Sequence, residues 1–303
     1  MAATRRVRLG ILLVAVVAML SVAAWGIDEV VEKLTDNSSG TQATGCTAGG
    51  FDISTDQASV AAQMVAEVYR SGVAHRDRAA VLVLAAAMQE SKLANLPPGE
   101  GDRDSVGVLQ QRPSQDWGKA RNPGEADTIA AREKRLNDVT EATREFLDKL
   151  VTFDGWWTED AAVAIQDVQV SADGSLYAQH EPIATALAKA LLGTEAAGIT
   201  CTFDAPSLVA GTSTVVTALK HQLGLTTPVA SATAVRVPGA GWQTAAWFVA
   251  NADRYGIAQV EYADRTWTRA GGWATPKSGA SSTPAASTST AVVATMAVVK
   301  NKK

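Results

Sequence analysis

From Asp77 to Ser91 the chain reads as a helix that is apolar on every side, running Ala79-Ala80-Val81-Leu82-Val83-Leu84-Ala85-Ala86-Ala87-Met88 before Gln89-Glu90-Ser91. A helix without a polar face is buried all round, so the elements on either side of it in sequence must enclose it. Asn95-Leu96-Pro97-Pro98-Gly99 ends it, because proline cannot continue the helical hydrogen-bond ladder. The constraint is therefore specific: a helical layer wraps one central helix, and that helix carries a single carboxylate, Glu90, to the edge of the core.

The flanking segments fit that plan. Ser54-Thr55-Asp56-Gln57 has capping-box spacing and opens a helix whose Val60, Met64, Val65 and Val68 share a face, with Gly72 as its stop. A polar loop from Gly99 to Trp117 follows the central helix, with a short helical piece expected near Ser105–Gln111. A long helix is expected from Asp127 to Leu150, another from a Thr158 cap through Gln169, and a last one from Pro182 to Gly193. Residues 46–201 thus read as one helical domain. Residues 202–230 read as a linker with a helix at Val215–Leu223. In 231–274 a helix at Trp242–Tyr255 and a hairpin turning at Ala263-Asp264 suggest a small α+β domain. Residues 275–303 read as a low-complexity tail. The expected fold class is mainly α.

The N-terminus carries an address. Arg5, Arg6 and Arg8 precede Leu9–Ile27, which holds no charged residue. At helical rise that stretch reaches about 28 Å, enough to cross a bilayer core, with the basic end left in the cytoplasm. It is read as a transmembrane anchor in preference to a cleaved signal, whose apolar core is shorter. Residues 28–45, rich in Gly, Ser and Thr, read as a stalk. Either reading of 1–27 puts the body outside the cytoplasm, where Cys46 and Cys201 can pair; two free thiols are the alternative. The formal charge is −4, and loss of the three arginines would make it −7, so no basic surface argues for nucleic acid. The sequence says nothing of oligomeric state.

Glu90 would sit at the C-terminal, negative end of a buried helix. Burial and the helix dipole both disfavour its ionised form, which is what a general acid needs. Ser91 stands beside it as an orienting hydroxyl. The loop offers Asp104, Ser105, Gln110 and Gln111 as hydrogen-bonding edges, Gly107 for close backbone approach, and Trp117 as a stacking surface for a sugar ring. Tyr177, with His180 and Glu181, is a candidate for the groove wall. The bland readings are a capped turn, a core tryptophan and a polar helix end. The three histidines, at 75, 180 and 221, form no cluster with metal-ligand spacing, and no phosphate loop or dinucleotide fingerprint occurs, so no metal or cofactor is expected.

Glu90-Ser91 followed by Ser105-x-Gly107-Val108-Leu109-Gln110 resembles the Glu-Ser … Ser-x-Gly-Leu-Met-Gln signature of lysozyme-like lytic transglycosylases. The longer text, with Gln110-Gln111-Arg112-Pro113-Ser114-Gln115-Asp116-Trp117-Gly118 and Ala178-Gln179-His180-Glu181, looks like an exported actinobacterial branch of that superfamily. About half the chain carries the resemblance, and Trp242–Trp273 looks like a small domain that accompanies such modules. The resemblance implies a lysozyme-like helical domain at 46–201 that acts on peptidoglycan glycan strands. Glu90 would protonate the glycosidic oxygen between N-acetylmuramic acid and N-acetylglucosamine, then deprotonate the muramic acid 6-hydroxyl to give a 1,6-anhydro product. Gln110 and Ser91 would match family positions beside the substrate and the acid. The family's later Ala-Tyr-Asn motif is absent, the region reading Ala164-Ile165-Gln166-Asp167-Val168-Gln169. Hydrolysis instead would need a second carboxylate, Asp102 or Asp104, to activate water. The main rival reading is an envelope protein that holds glycan without cleaving it.

Overall fold

Ser54 starts helix α1 (Thr55–Ser71) with a reciprocal cap: its hydroxyl accepts from the Gln57 N–H at 3.1 Å and its own N–H donates to Gln57 Oε1 at 2.8 Å. The computed structural model in which this is seen describes residues 44–171, 173–274 and 290–298. Helix α2 (Arg76–Ser91) is the all-apolar one, and Leu82 through Ala87 are fully buried in it. It lies along α6 (Glu181–Leu192), with α1, α4 (Val139–Leu150) and α5 (Ala161–Gln169) closing the remaining sides. Each of these helices contributes one apolar stripe, so the central helix is enclosed as its composition requires.

The expected long helix at Asp127–Leu150 is two: α3 (Ile129–Leu136) and α4. Asp138 explains the break. Its carboxylate accepts from Thr140 N–H and Glu141 N–H at 2.9 and 3.2 Å, so it caps a new helix instead of continuing the old one. The helical piece expected near Ser105–Gln111 is a tight turn closed by a bridge between Val106 and Gln111, and the helical turn comes after it, a 3-10 turn at Pro113–Gln115.

The mainly-α expectation is corrected. Among the described residues helix accounts for 46% and strand for 17%, in two antiparallel sheets. The smaller has the order β2-β1-β3, made from β1 (Gly45–Ala48), β2 (Phe51–Ile53) and β3 (Ile199–Thr202). It joins the two ends of the helical segment, with Cys46 directly opposite Cys201 and the two sulfurs bonded at 2.04 Å. Strands this short, at the ends of a long helical run, carry too little alternation to be read from sequence.

The larger sheet has the order β4-β5-β9-β6-β7-β8. Its strands are β4 (Val229–Ala230), β5 (Ala234–Pro238), β6 (Ile257–Tyr262), β7 (Arg265–Thr268), β8 (Gly272–Ala274) and β9 (Ala291–Met296). The hairpin β6–β7 turns at Ala263-Asp264 as its alternation predicts. Strand β9 comes from the stretch read as a tail. Its run of apolar residues suits a strand hydrogen-bonded on both sides, and it fills the place between β5 and β6. After α7 (Thr212–Leu223), helix α8 (Trp242–Ala250) lies between this sheet and the helical layer, burying Trp247 and Phe248, and the short α9 (Ala252–Tyr255) follows it. Two indoles tie the sheets together: Trp267 Nε1 donates to Cys201 O at 2.9 Å and Trp273 Nε1 to Ile199 O at 2.8 Å. One continuous hydrophobic core results.

Among the described residues, no helix is long and apolar enough to cross a membrane. The expected anchor at Leu9–Ile27 and most of the stalk lie outside the described residues.

Candidate active site

Helix α2 ends where its core packing ends. Lys92 and Leu93 turn left-handed there (φ 55° and 61°), and Glu90 emerges half-buried at the floor of a cleft of about 420 Å³. The Tyr177 hydroxyl donates to Glu90 Oε1 at 2.6 Å, and Gln169 lines the same cleft beside it. Burial raises the Glu90 pKa above the ordinary carboxylate value, and the Tyr177 and Gln169 side chains, which favour the ionised form, oppose the rise without cancelling it. Burial and the bond to Glu90 push the Tyr177 phenol upward in turn, so it stays a donor. Tyr177 is delivered by a 3-10 helix, Gly174–His180, that is capped by Asp173 and followed directly by α6.

The loop opposite is fixed by the same helix end. Ser91 Oγ donates to Val108 O at 2.7 Å, and Gln169 Nε2 donates to Leu109 O at 3.0 Å. Gly107, at φ 78°, brings the backbone against the end of α3; a Cβ there would lie 2.1 Å from Leu136 O. The close approach that glycine permits is thus to the protein's own helix. Gly101 presses the other arm of the loop against Gln110 and Ser105, with its would-be Cβ 2.5 Å from Gln110 Oε1 and from Ser105 O.

Of the residues expected at the site, Glu90, Ser105, Gln110, Gln111 and Trp117 line this cleft. Gln110 folds its amide back to Gly107 O at 2.8 Å. Gln111 is buried, donating to Ala142 O at 3.2 Å, and its Oε1 has no partner. Lys149 Nζ stands 4.7 Å over the Trp117 ring, so one face of that indole is already covered. Ser91 and Tyr177 are not on the lining: Tyr177 bonds Glu90, and Ser91 binds Val108 O of the loop. Asp104 is not on it either, and holds the loop: it accepts from Arg112 Nε at 2.6 Å and Ser114 N–H at 2.9 Å. Its burial alone would raise its pKa, but the bonds from Ser114 and Arg112 outweigh that and bring it down to about 2. Asp102 is the other carboxylate on the lining. His180 pairs with Gln89 at 2.9 Å and Glu181 with Arg78 at 2.5 Å, which makes them fastenings of the helix ends.

Sequence reasoning missed Arg103, Arg112, Gln115, Gln169, Val170 and Ser171, all of which line the cleft. Gln169, Val170 and Ser171 reach it because α5 stops beside Glu90, a tertiary fact with no local signal. Three of the lining residues, Arg103, Gln110 and Val170, hold positive φ of 55°, 46° and 52° without being glycine. Such strained backbone concentrates where a site requires it. Of the twelve lining residues four are glutamines, two are serines and one is Trp117, beside Val170, the carboxylates Glu90 and Asp102 and the cations Arg103 and Arg112; the amides and hydroxyls suit a polyhydroxylated, acetamido-bearing ligand.

Two larger clefts lie elsewhere. One of about 810 Å³ runs between α1, α4 and the α7–α9 region, and one of about 610 Å³ lies between α2 and α6. Compared with protein-family models and with curated proteins, the chain gave no match.

Proposed function

We propose that the protein cleaves the glycan strands of peptidoglycan between N-acetylmuramic acid and N-acetylglucosamine, outside the cytoplasm, as a lytic transglycosylase. The observation that carries this reading is Glu90: a carboxyl that burial disposes to keep its proton, placed at the floor of an amide-lined cleft. Protonated Glu90 donates to the glycosidic oxygen as the bond to C1 breaks, and the departing sugar leaves with a free hydroxyl. The carboxylate so formed takes the proton of the muramic acid C6 hydroxyl, whose oxygen closes onto C1. The 1,6-anhydro ring forms and Glu90 regains its proton, so no water and no second carboxylate enter the balance. The disulfide Cys46–Cys201 agrees with an oxidising compartment.

A second reading, a glycan-binding protein with little turnover, has one observation in its favour: the Glu90 carboxyl already accepts from the Tyr177 hydroxyl. Incubation of the protein with peptidoglycan, followed by mass spectrometry, separates the two. The enzyme releases 1,6-anhydro muropeptides that disappear with Glu90→Gln. Retention on the wall without products supports the binder. Reducing-end products in their place would mark hydrolysis, with Asp102, the other carboxylate on the lining, as the group to activate water.

A further inference from the structure

The cleft of about 810 Å³ is walled by segments distant in sequence: the first half of α1, the loop after α2, the α3–α4 junction, the end of α7 and the α8–α9 corner. It shares no lining residue with the Glu90 cleft. Two of its lining side chains are more than nine-tenths buried and incompletely bonded. Gln222, 7% exposed, accepts from Trp247 Nε1 at 2.7 Å. An indole nitrogen only donates, so that bond fixes Oε1 and leaves Nε2 over, with no partner among the described residues. The hydroxyl of Thr140, a residue 4% exposed, has none either. Neither atom is sealed from solvent, so both open onto the cleft that their residues line. A few placed polar groups in a concave site are what orients a small ligand.

The same cleft carries one carboxylate and one guanidinium that are not engaged. Asp56, exposed at the start of α1, and Arg254, exposed on α9, make no ion pair with each other or with any other described residue. The Arg254 guanidinium stands 5.7 Å from the Tyr255 ring centroid. The other lining carboxylates are occupied: Asp253 bonds Arg269 at 2.6 Å, and Asp138 caps α4. A first-turn acid suits the helix dipole, which accounts for Asp56 but not for an unpaired Arg254 on the same lining. A ligand that satisfies all four groups is a zwitterion. Its ammonium meets Asp56, its carboxylate meets Arg254, and peptide groups between them offer C=O to Gln222 and N–H to Thr140.

We propose that this cleft is a second binding site, independent of Glu90, for a short peptide with both ends free. The full chain, labelled with nitrogen-15, is titrated with the alanine peptides from dialanine to pentaalanine. The indole N–H resonance of Trp247 is the reporter, because its hydrogen bond to Gln222 ends at the cleft. At least one peptide moves it, with a dissociation constant of about 1 mM or tighter. N-acetylation and C-amidation of that peptide each weaken binding about tenfold, the worth of one charge-assisted contact. In Asp56→Asn the penalty for N-acetylation disappears and that for amidation remains; in Arg254→Gln the reverse holds. Both side chains are exposed, so neither change disturbs the core. Glu90→Gln returns the wild-type constants.

A Trp247 resonance unmoved by every alanine peptide overturns the proposal. So do end caps that make no difference, or cap penalties that persist in both variants, since the unpaired charges then recognise nothing. A shift produced by N-acetylglucosamine tetramer and by no peptide makes the cleft a glycan subsite and overturns it too. Constants altered in Glu90→Gln would show one site where two are proposed, whereas a wild type that releases no glycan product overturns only the enzymatic reading.

Discussion

Glu90 ends helix α2 and Asp104 braces the loop that follows it, and their proton affinities are driven in opposite directions by identifiable groups. Burial raises Glu90, so the folded state binds a proton there more tightly than the unfolded chain does. The stability this confers is complete below the unfolded carboxylate value and is lost as pH rises through the folded one. Glu90→Gln should therefore melt higher than the wild type at pH 7, with the gain shrinking as both are brought to pH 4 in thermal denaturation. The same substitution should lower turnover by about 10²–10⁴-fold, the usual worth of a general acid. Asp104 behaves in the reverse sense. Held down to about 2 by Ser114 and Arg112, it stabilises the fold above the unfolded value, and the contribution fades as pH falls toward 2. Asp104→Asn should lower the Tm at pH 7 and converge on the wild type in strong acid. Equal differences at both pH values would show that the Arg112 contact contributes nothing through charge.

At the scale of elements, what could be read from the chain was what repeats locally. The all-round apolar run of α2 required enclosure, the Ser54–Gln57 spacing marked the start of α1, and the alternation from Gln259 to Thr268 placed a hairpin. Three features could not be read. Asp138 splits an expected helix because a cap competes with helix continuation, and the composition of Ile129–Leu150 supports both outcomes. The strand β9 depends on partners more than thirty residues away, so its apolar run looked like part of a tail. Gln169 shares the cleft with Glu90 only because α5 ends beside α2. Asp138 gives the sharpest test. Its carboxylate serves two N–H groups of α4, so Asp138→Ala should destabilise the protein by about 1 kcal/mol in denaturant unfolding. A change indistinguishable from zero would mean that the break at Asn137-Asp138 is dictated by packing and not by the cap.

At the scale of the whole molecule, the Cys46–Cys201 bond occupies a junction. It links β1 to β3 across 155 residues, and β3 also accepts from Trp267 and Trp273 of the larger sheet. By the chain-entropy model, closing a loop of that length stabilises by about 4–5 kcal/mol, because the unfolded chain loses freedom that the folded chain never had. Helix α8 packs against helices and strands alike, so loss of the bond is felt through one shared core. Full reduction, or the Cys46→Ala/Cys201→Ala double variant, should therefore lower the Tm of both regions together. Far-UV circular dichroism reports the helices, and tryptophan fluorescence, in a background with Trp25, Trp117, Trp156 and Trp157 replaced by phenylalanine, reports the indoles beside the larger sheet, Trp247 and Trp267 among them. Coincident transitions displaced downward by the same amount are the expected result. If reduction instead lowers the helical transition and leaves the fluorescence transition in place, the two indole hydrogen bonds to β3 do not couple the sheets. The bond would then stabilise the helical layer alone.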